Sequence, residues 1–105
     1  MKDREAKVSR WEGEDLPTKA ELETRLIAEE LNGTFWSNGP GDRYSTHSHE
    51  FDKVIYVVEG EISFVLPETG GIITLHGGDR LDLPAHTPHA AIVGSEGVLC
   101  LEAHI

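Results

Sequence analysis

The sequence predicts an all-β domain, a sandwich or barrel, with a single helix ahead of it. Three observations lead there. Short β-branched and aromatic runs recur between Gly and Pro punctuation, only one stretch has helical periodicity, and no helices alternate with the strands as a parallel sheet would require. The expected strands are 34–37, 44–49, 53–59, 61–66, 72–75, 80–83, 89–93 and 98–104, broken at Gly60, 67–71, Gly77-Gly78, 84–88 and 94–97. The chain carries neither an internal repeat nor a low-complexity segment.

Residues 1–15 mix charges of both signs with few apolar groups and read as a mobile arm. Within it, Val8 and Trp11 are placed to dock on a barrel or on a partner subunit. From Asp15 the signals change. Asp15 or Leu16 precedes Pro17, proline is favoured in a first helical turn, and Gly33 supplies a stop, so a helix is predicted over 17–32. Leu22, Leu26, Ile27 and Leu31 fall on one face, and Glu21 and Arg25 form an acidic-then-basic pair four apart on the other. The helix holds no nucleophile or ligand cluster and is expected to pack on the barrel. Domain organisation is then an arm over 1–15 and a single domain over 16–105.

The stretch from Gly41 to Gly60 carries the chemistry. His47 and His49 lie two apart, so on an extended strand both imidazoles project from the same face, a metal-ligand spacing. Val54 to Val58 follows as a β-branched and aromatic run closed by Glu59-Gly60, the composition of a buried strand and turn. A second segment, Gly78 to His89, adds strand and turn signals and two further histidines, His86 and His89.

These two stretches resemble the paired motifs of the cupin family. The first is similar to G-x5-H-x-H-x3-E-x6-G, with Gly41, His47, His49 and Gly60 in register, and the second to G-x5-P-x-G-x2-H-x3-N, with Gly78, Pro84 and His89 in register. The resemblance runs from about Gly41 to Glu102 and implies a cupin-type antiparallel β-barrel, or jelly roll. It also implies a metal held by His47, His49 and His89, with His89 brought beside the other two by the fold. Three positions depart from the pattern: the motif's metal-binding glutamate falls on Lys53, the glycine after the proline on His86, and the final asparagine on Val93.

Neutral imidazoles suit zinc, iron, nickel, copper or manganese, and three protein ligands with open positions describe a reactive site. His86 could supply a fourth ligand in place of the missing glutamate, or face solvent or the cavity rim. His76 and His104 read as surface histidines. Glu50 and Asp52 read as a solvated turn or as displaced acidic ligands. Cys100, in the apolar run 98–101, reads as a buried small hydrophobe without a base to activate it.

Lys53 is the position that argues against the motif. An ammonium about 5 Å from a divalent ion is repelled by roughly 6 kcal/mol at an effective dielectric of about 20. Three arrangements are open: Lys53 turned outward to Asp52 or Glu50, Lys53 inside and neutral, or Lys53 inside and paired with an anionic substrate beside the metal.

Composition narrows the partners. With 105 residues there is one domain, small enough to gain from a homodimer interface. The net charge of −10, from 9 basic and 19 acidic residues, repels nucleic acid and anionic membrane surfaces. A single cysteine excludes an intramolecular disulfide, the start Met-Lys-Asp-Arg-Glu lacks the apolar core of a signal peptide, and no apolar run approaches the ~20 residues of a membrane span. The chain is therefore expected in the cytoplasm, with a small molecule and a second copy of itself as partners. Two functional classes remain open: a metal-dependent enzyme of the isomerase or dioxygenase kind the resemblance implies, or a non-catalytic ligand-binding or sensing domain with a degenerate metal site.

Overall fold

A computed structural model describes residues 5–105 of the chain. Seven strands and one helix follow in the order β1 (Lys7–Ser9), α1 (Lys19–Ala28), β2 (Thr34–Asn38), β3 (Arg43–His47), β4 (Lys53–Leu66), β5 (Gly71–His76), β6 (Arg80–Leu83) and β7 (His89–His104). All strand pairs are antiparallel, in the jelly-roll manner. The first four residues of the expected arm lie outside the described residues.

The frame is the pair of long strands β4 and β7, which face each other from Lys53↔His104 to Val65↔Ala90 and change neighbours midway. The first half of β4 pairs with β6 and its second half with β5, while β7 pairs first with β3 and then with β2. Each long strand spans two expected ones. The glycines at Gly60 and 94–97 punctuate the ladder without ending it, because they make bulges there, with register shifts at Val57/Glu59 and Gly60/Ile62. Gly60 is required at this corner: its φ is +88° and a Cβ would lie 2.1 Å from the Gly97 carbonyl oxygen.

Alternation along β4 separates two cores. Ile55 and Val57 join Ile62, Phe64, Leu81, Leu83, Ala91, Val93 and Cys100 inside the barrel, whereas Val54, Tyr56 and Val58 face the other way, onto Leu22 and Leu26 of the helix. Both faces of this half of β4 are buried, which explains its unbroken apolar run. Each fully buried leucine of the helix contributes about 1.5–3 kcal/mol.

The helix is shorter than the sequence predicts. Thr18 is its N-cap, in a capping box with Glu21, so Pro17 precedes the helix. It ends in a Schellman turn, with Glu30 left-handed at φ 63° and the N–H groups of Glu30 and Leu31 donating to Ile27 and Leu26 at 2.9 Å. Gly33 has another role: a Cβ there would lie 2.5 Å from Leu101. Ile27 is 65% exposed, off the buried face. The expected Glu21–Arg25 pair gives way to other partners, because Glu21 closes the capping box and Arg25 lies over the Trp11 ring.

The described part of the arm is docked on the barrel. β1 pairs with β6, placing Val8 against the barrel core. Beyond it, the buried Asp79 carboxylate accepts from the Trp11 and His76 backbone N–H groups and from Arg10, each at 2.9 Å. No helix among the described residues is long and apolar enough to cross a membrane.

Candidate metal centre

β3 ends on His47 and β7 begins on His89, and these two residues are cross-strand partners. His49 lies just past β3, so the two-residue spacing is not carried on one strand; the chain after His47 brings its ring back instead. There the His86 N–H donates to the His49 carbonyl at 2.7 Å, and Phe51 stacks on the His49 ring at 5.1 Å and on His104 at 4.0 Å. One ligand nitrogen from each of His47, His49 and His89 lies within 4.8 Å of the other two. Imidazole nitrogens sharing one ion at 2.0–2.1 Å stand about 3.4 Å apart, so a modest closing of side chains would bring the three onto a metal.

Two of the rings are oriented in the same way. His47 Nδ1 donates to the Ser45 carbonyl at 2.7 Å and His89 Nδ1 to the Thr87 carbonyl at 2.9 Å, each to the residue two before it. Donation from Nδ1 leaves Nε2 with its lone pair, the form in which an imidazole ligates. Burial pushes the His89 pKa down, and burial followed by the charge of Lys53 does the same to His49. Neutral rings are what a metal requires, and three histidines this close together could hold one.

His47 and His89 border a cavity of about 210 Å³. Trp36, Tyr44, Ile55, Ile62 and Phe64 give it apolar walls, and His47, His89, Lys53 and Glu102 are its polar groups. A wider, open groove of about 1030 Å³ runs along the helix side, lined by groups such as Lys7, Arg25 and Asp82 rather than by the histidines.

No protein-family model and no curated protein matches the chain. Solved structures do. An RmlC-like cupin from Shewanella frigidimarina aligns with 70% of this chain and 64% of its own, at 28% identity and a TM-score of 0.61. The polyketide cyclase RemF from Streptomyces resistomycificus aligns over 70% and 54%, at 26% identity and a TM-score of 0.62. A DUF861 family protein from Thermotoga maritima aligns over 96% and 100%, at 18% identity and a TM-score of 0.65. The chain is a small cupin-fold domain. It spans just over half the length of the cyclase.

In this cupin barrel Lys53 faces inward, on the same strand face as Ile55 and Val57. Its ammonium pairs with Glu102 Oε1 at 3.1 Å and donates to His49 Nε2 at 3.3 Å. The outward-turned lysine is therefore overturned, and the counter-charge is the protein's own. Asp52, offered as one outward partner, accepts instead from the Ala85 N–H at 2.8 Å.

Glu102 is the cavity residue the sequence reading missed. Alternation could have found it, since it shares a face of β7 with the buried Val98 and Cys100. Its carboxylate also accepts from Trp36 Nε1 at 3.2 Å and meets His104 Nε2 at 2.9 Å. Burial pushes its pKa up, but the hydrogen bond from His104 and the charge of Lys53 outweigh burial and hold it below the usual carboxylate range. So His104, though half exposed, holds the cavity's carboxylate.

The other candidates fall outside this cluster. His86 is exposed at the rim of a separate depression with Glu68 and Thr69 and serves His49 through its backbone. His76 pairs with Glu61 on the surface at 2.9 Å. Cys100 is fully buried and its thiol is pushed up to about 12 by burial, so it is no nucleophile.

Proposed function

We propose that this domain holds a divalent transition metal at His47, His49 and His89 and uses it on a small organic anion within the barrel. The observation that carries the reading is the repeated Nδ1–H lock on His47 and His89, which presents both Nε2 atoms at the cavity. When bound, an ion on three neutral imidazoles keeps open positions and supplies Lewis-acid chemistry to a carbonyl or carboxylate oxygen. The chain's own groups do the rest. Trp36, Tyr44 and Phe64 enclose the ligand's apolar part and limit water, and a volume of about 210 Å³ restricts it to small molecules. The anionic class follows from the charge balance: three neutral ligands and a Lys53–Glu102 pair that sums to zero leave the ion's double charge to the ligand. That a polyketide cyclase shares the architecture supports catalysis in a barrel of this kind.

A second reading, a non-catalytic ligand-binding domain, is favoured by one observation: the Lys53 ammonium donates to His49 Nε2, the atom a metal would need. Copper(II) added to untagged protein separates the two. The metal reading predicts an electron spin resonance spectrum with nitrogen splitting from imidazoles, lost in His89→Ala. A spectrum of hydrated copper alone would favour the second reading.

A further inference from the structure

The Lys53 ammonium lies between one imidazole and one carboxylate, 3.3 Å from His49 Nε2 and 3.1 Å from Glu102 Oε1. The lysine side chain is only 11% exposed, and it lines the same cavity as His47, His89 and Glu102. Its nitrogen, an ammonium in the pair with Glu102, is thus a cation tethered to the chain and placed against the third histidine.

We propose that Lys53 gates the three-histidine centre: its ammonium competes with a metal for His49, and Glu102 is the counter-charge that receives it when a metal binds. This inference rests on the metal reading above and adds a role for two residues that ligate nothing. The movement required is small. Lys53 gives up one hydrogen bond, to His49, and keeps its ion pair with Glu102.

Glu102 is suited to that task because it is itself held. Trp36 Nε1 donates to Oε1, the oxygen that Lys53 also meets, His104 Nε2 meets Oε2, and Phe51 stacks on both His104 and His49. The carboxylate that the first cupin motif places on β4 is replaced here by a lysine, and a carboxylate on the neighbouring strand β7 balances it. The centre therefore keeps a neutral ligand set but gains a competitor. Metals that bind imidazole weakly are excluded, and those high in the Irving–Williams order displace the ammonium.

The test is metal affinity in four proteins, measured by competition with a chromophoric chelator using cobalt(II) and then zinc(II), with circular dichroism confirming the fold of each. The gate predicts that Lys53→Met binds at least about tenfold more tightly than the parent, a change of about 1.4 kcal/mol. Glu102→Gln, which leaves the ammonium without its counter-charge, binds about tenfold more weakly. The double variant returns close to Lys53→Met, because Glu102 acts only through the lysine. In metal-free protein, the ¹⁵N resonance of His49 Nε2 shifts in Lys53→Met, as expected when its hydrogen-bond donor is removed. Equal affinity in the parent and Lys53→Met overturns the gate and leaves the metal reading standing. A double variant as weak as Glu102→Gln also overturns it, by making Glu102 a ligand. If none of the four proteins binds cobalt or zinc, the gate and the metal reading fall together.

Discussion

His86 shows how a single residue can lie in a motif without sharing its chemistry. The cupin pattern puts glycine at this position, and the backbone has φ 63°, the left-handed region in which glycine alone is unstrained. The side chain is exposed and the backbone N–H holds His49, so the position is conformational. His86→Gly is expected to raise stability by about 1 kcal/mol, read from urea unfolding, with metal content unchanged. Loss of metal in that variant would make the imidazole a ligand after all. Lys53 and Glu102 were legible in part. Strand alternation puts both on the barrel's inner face, but their pairing depends on the β4–β7 register, which no local pattern displays.

Among the elements, the strands were the most legible and the ends of elements the least. The run 80–83 matches β6, because Gly78 and Pro84 bound it tightly. The helix was overextended at both ends, since Thr18 and Glu30 set its caps while Pro17 and Gly33 drew attention elsewhere. The arm was read as mobile because its charge hid three anchors: Val8 in the core, the β1–β6 pairing, and Asp79. Asp79 makes the docking sensitive to acid. Burial raises its pKa, but hydrogen bonds from Trp11, His76 and Arg10 outweigh that and bring it below its ordinary 3.8. A carboxyl with a depressed folded-state pKa stabilises fully above its unfolded value, and that contribution is lost as the pH falls through the folded value. Urea midpoints measured from about pH 5 down to about pH 2 should therefore fall in the parent and fall less in Asp79→Asn. Parallel curves would assign the acid sensitivity to other groups.

At the scale of the whole molecule, the shared architecture explains why residues 42 positions apart meet. His47 and His89 are partners across β3 and β7, a contact that sequence separation alone could not reveal and that the motif resemblance supplied. The outer face of the second half of the sheet leaves Ile72 and Ile92 exposed, and no helix covers it among the described residues. We propose that a second copy covers it. Light scattering at micromolar concentration should then give twice the 11.6 kDa chain mass, and a single-chain mass would remove the homodimer.

The claim on which the account turns is that His47, His49 and His89 act as one centre. Metal per chain, measured by elemental analysis on untagged parent and on the His47→Ala, His89→Ala double variant, tests it most directly. One centre predicts close to one metal per chain in the parent, and a loss in either single variant about as complete as in the double. Stoichiometric metal retained by a folded double variant would contradict it.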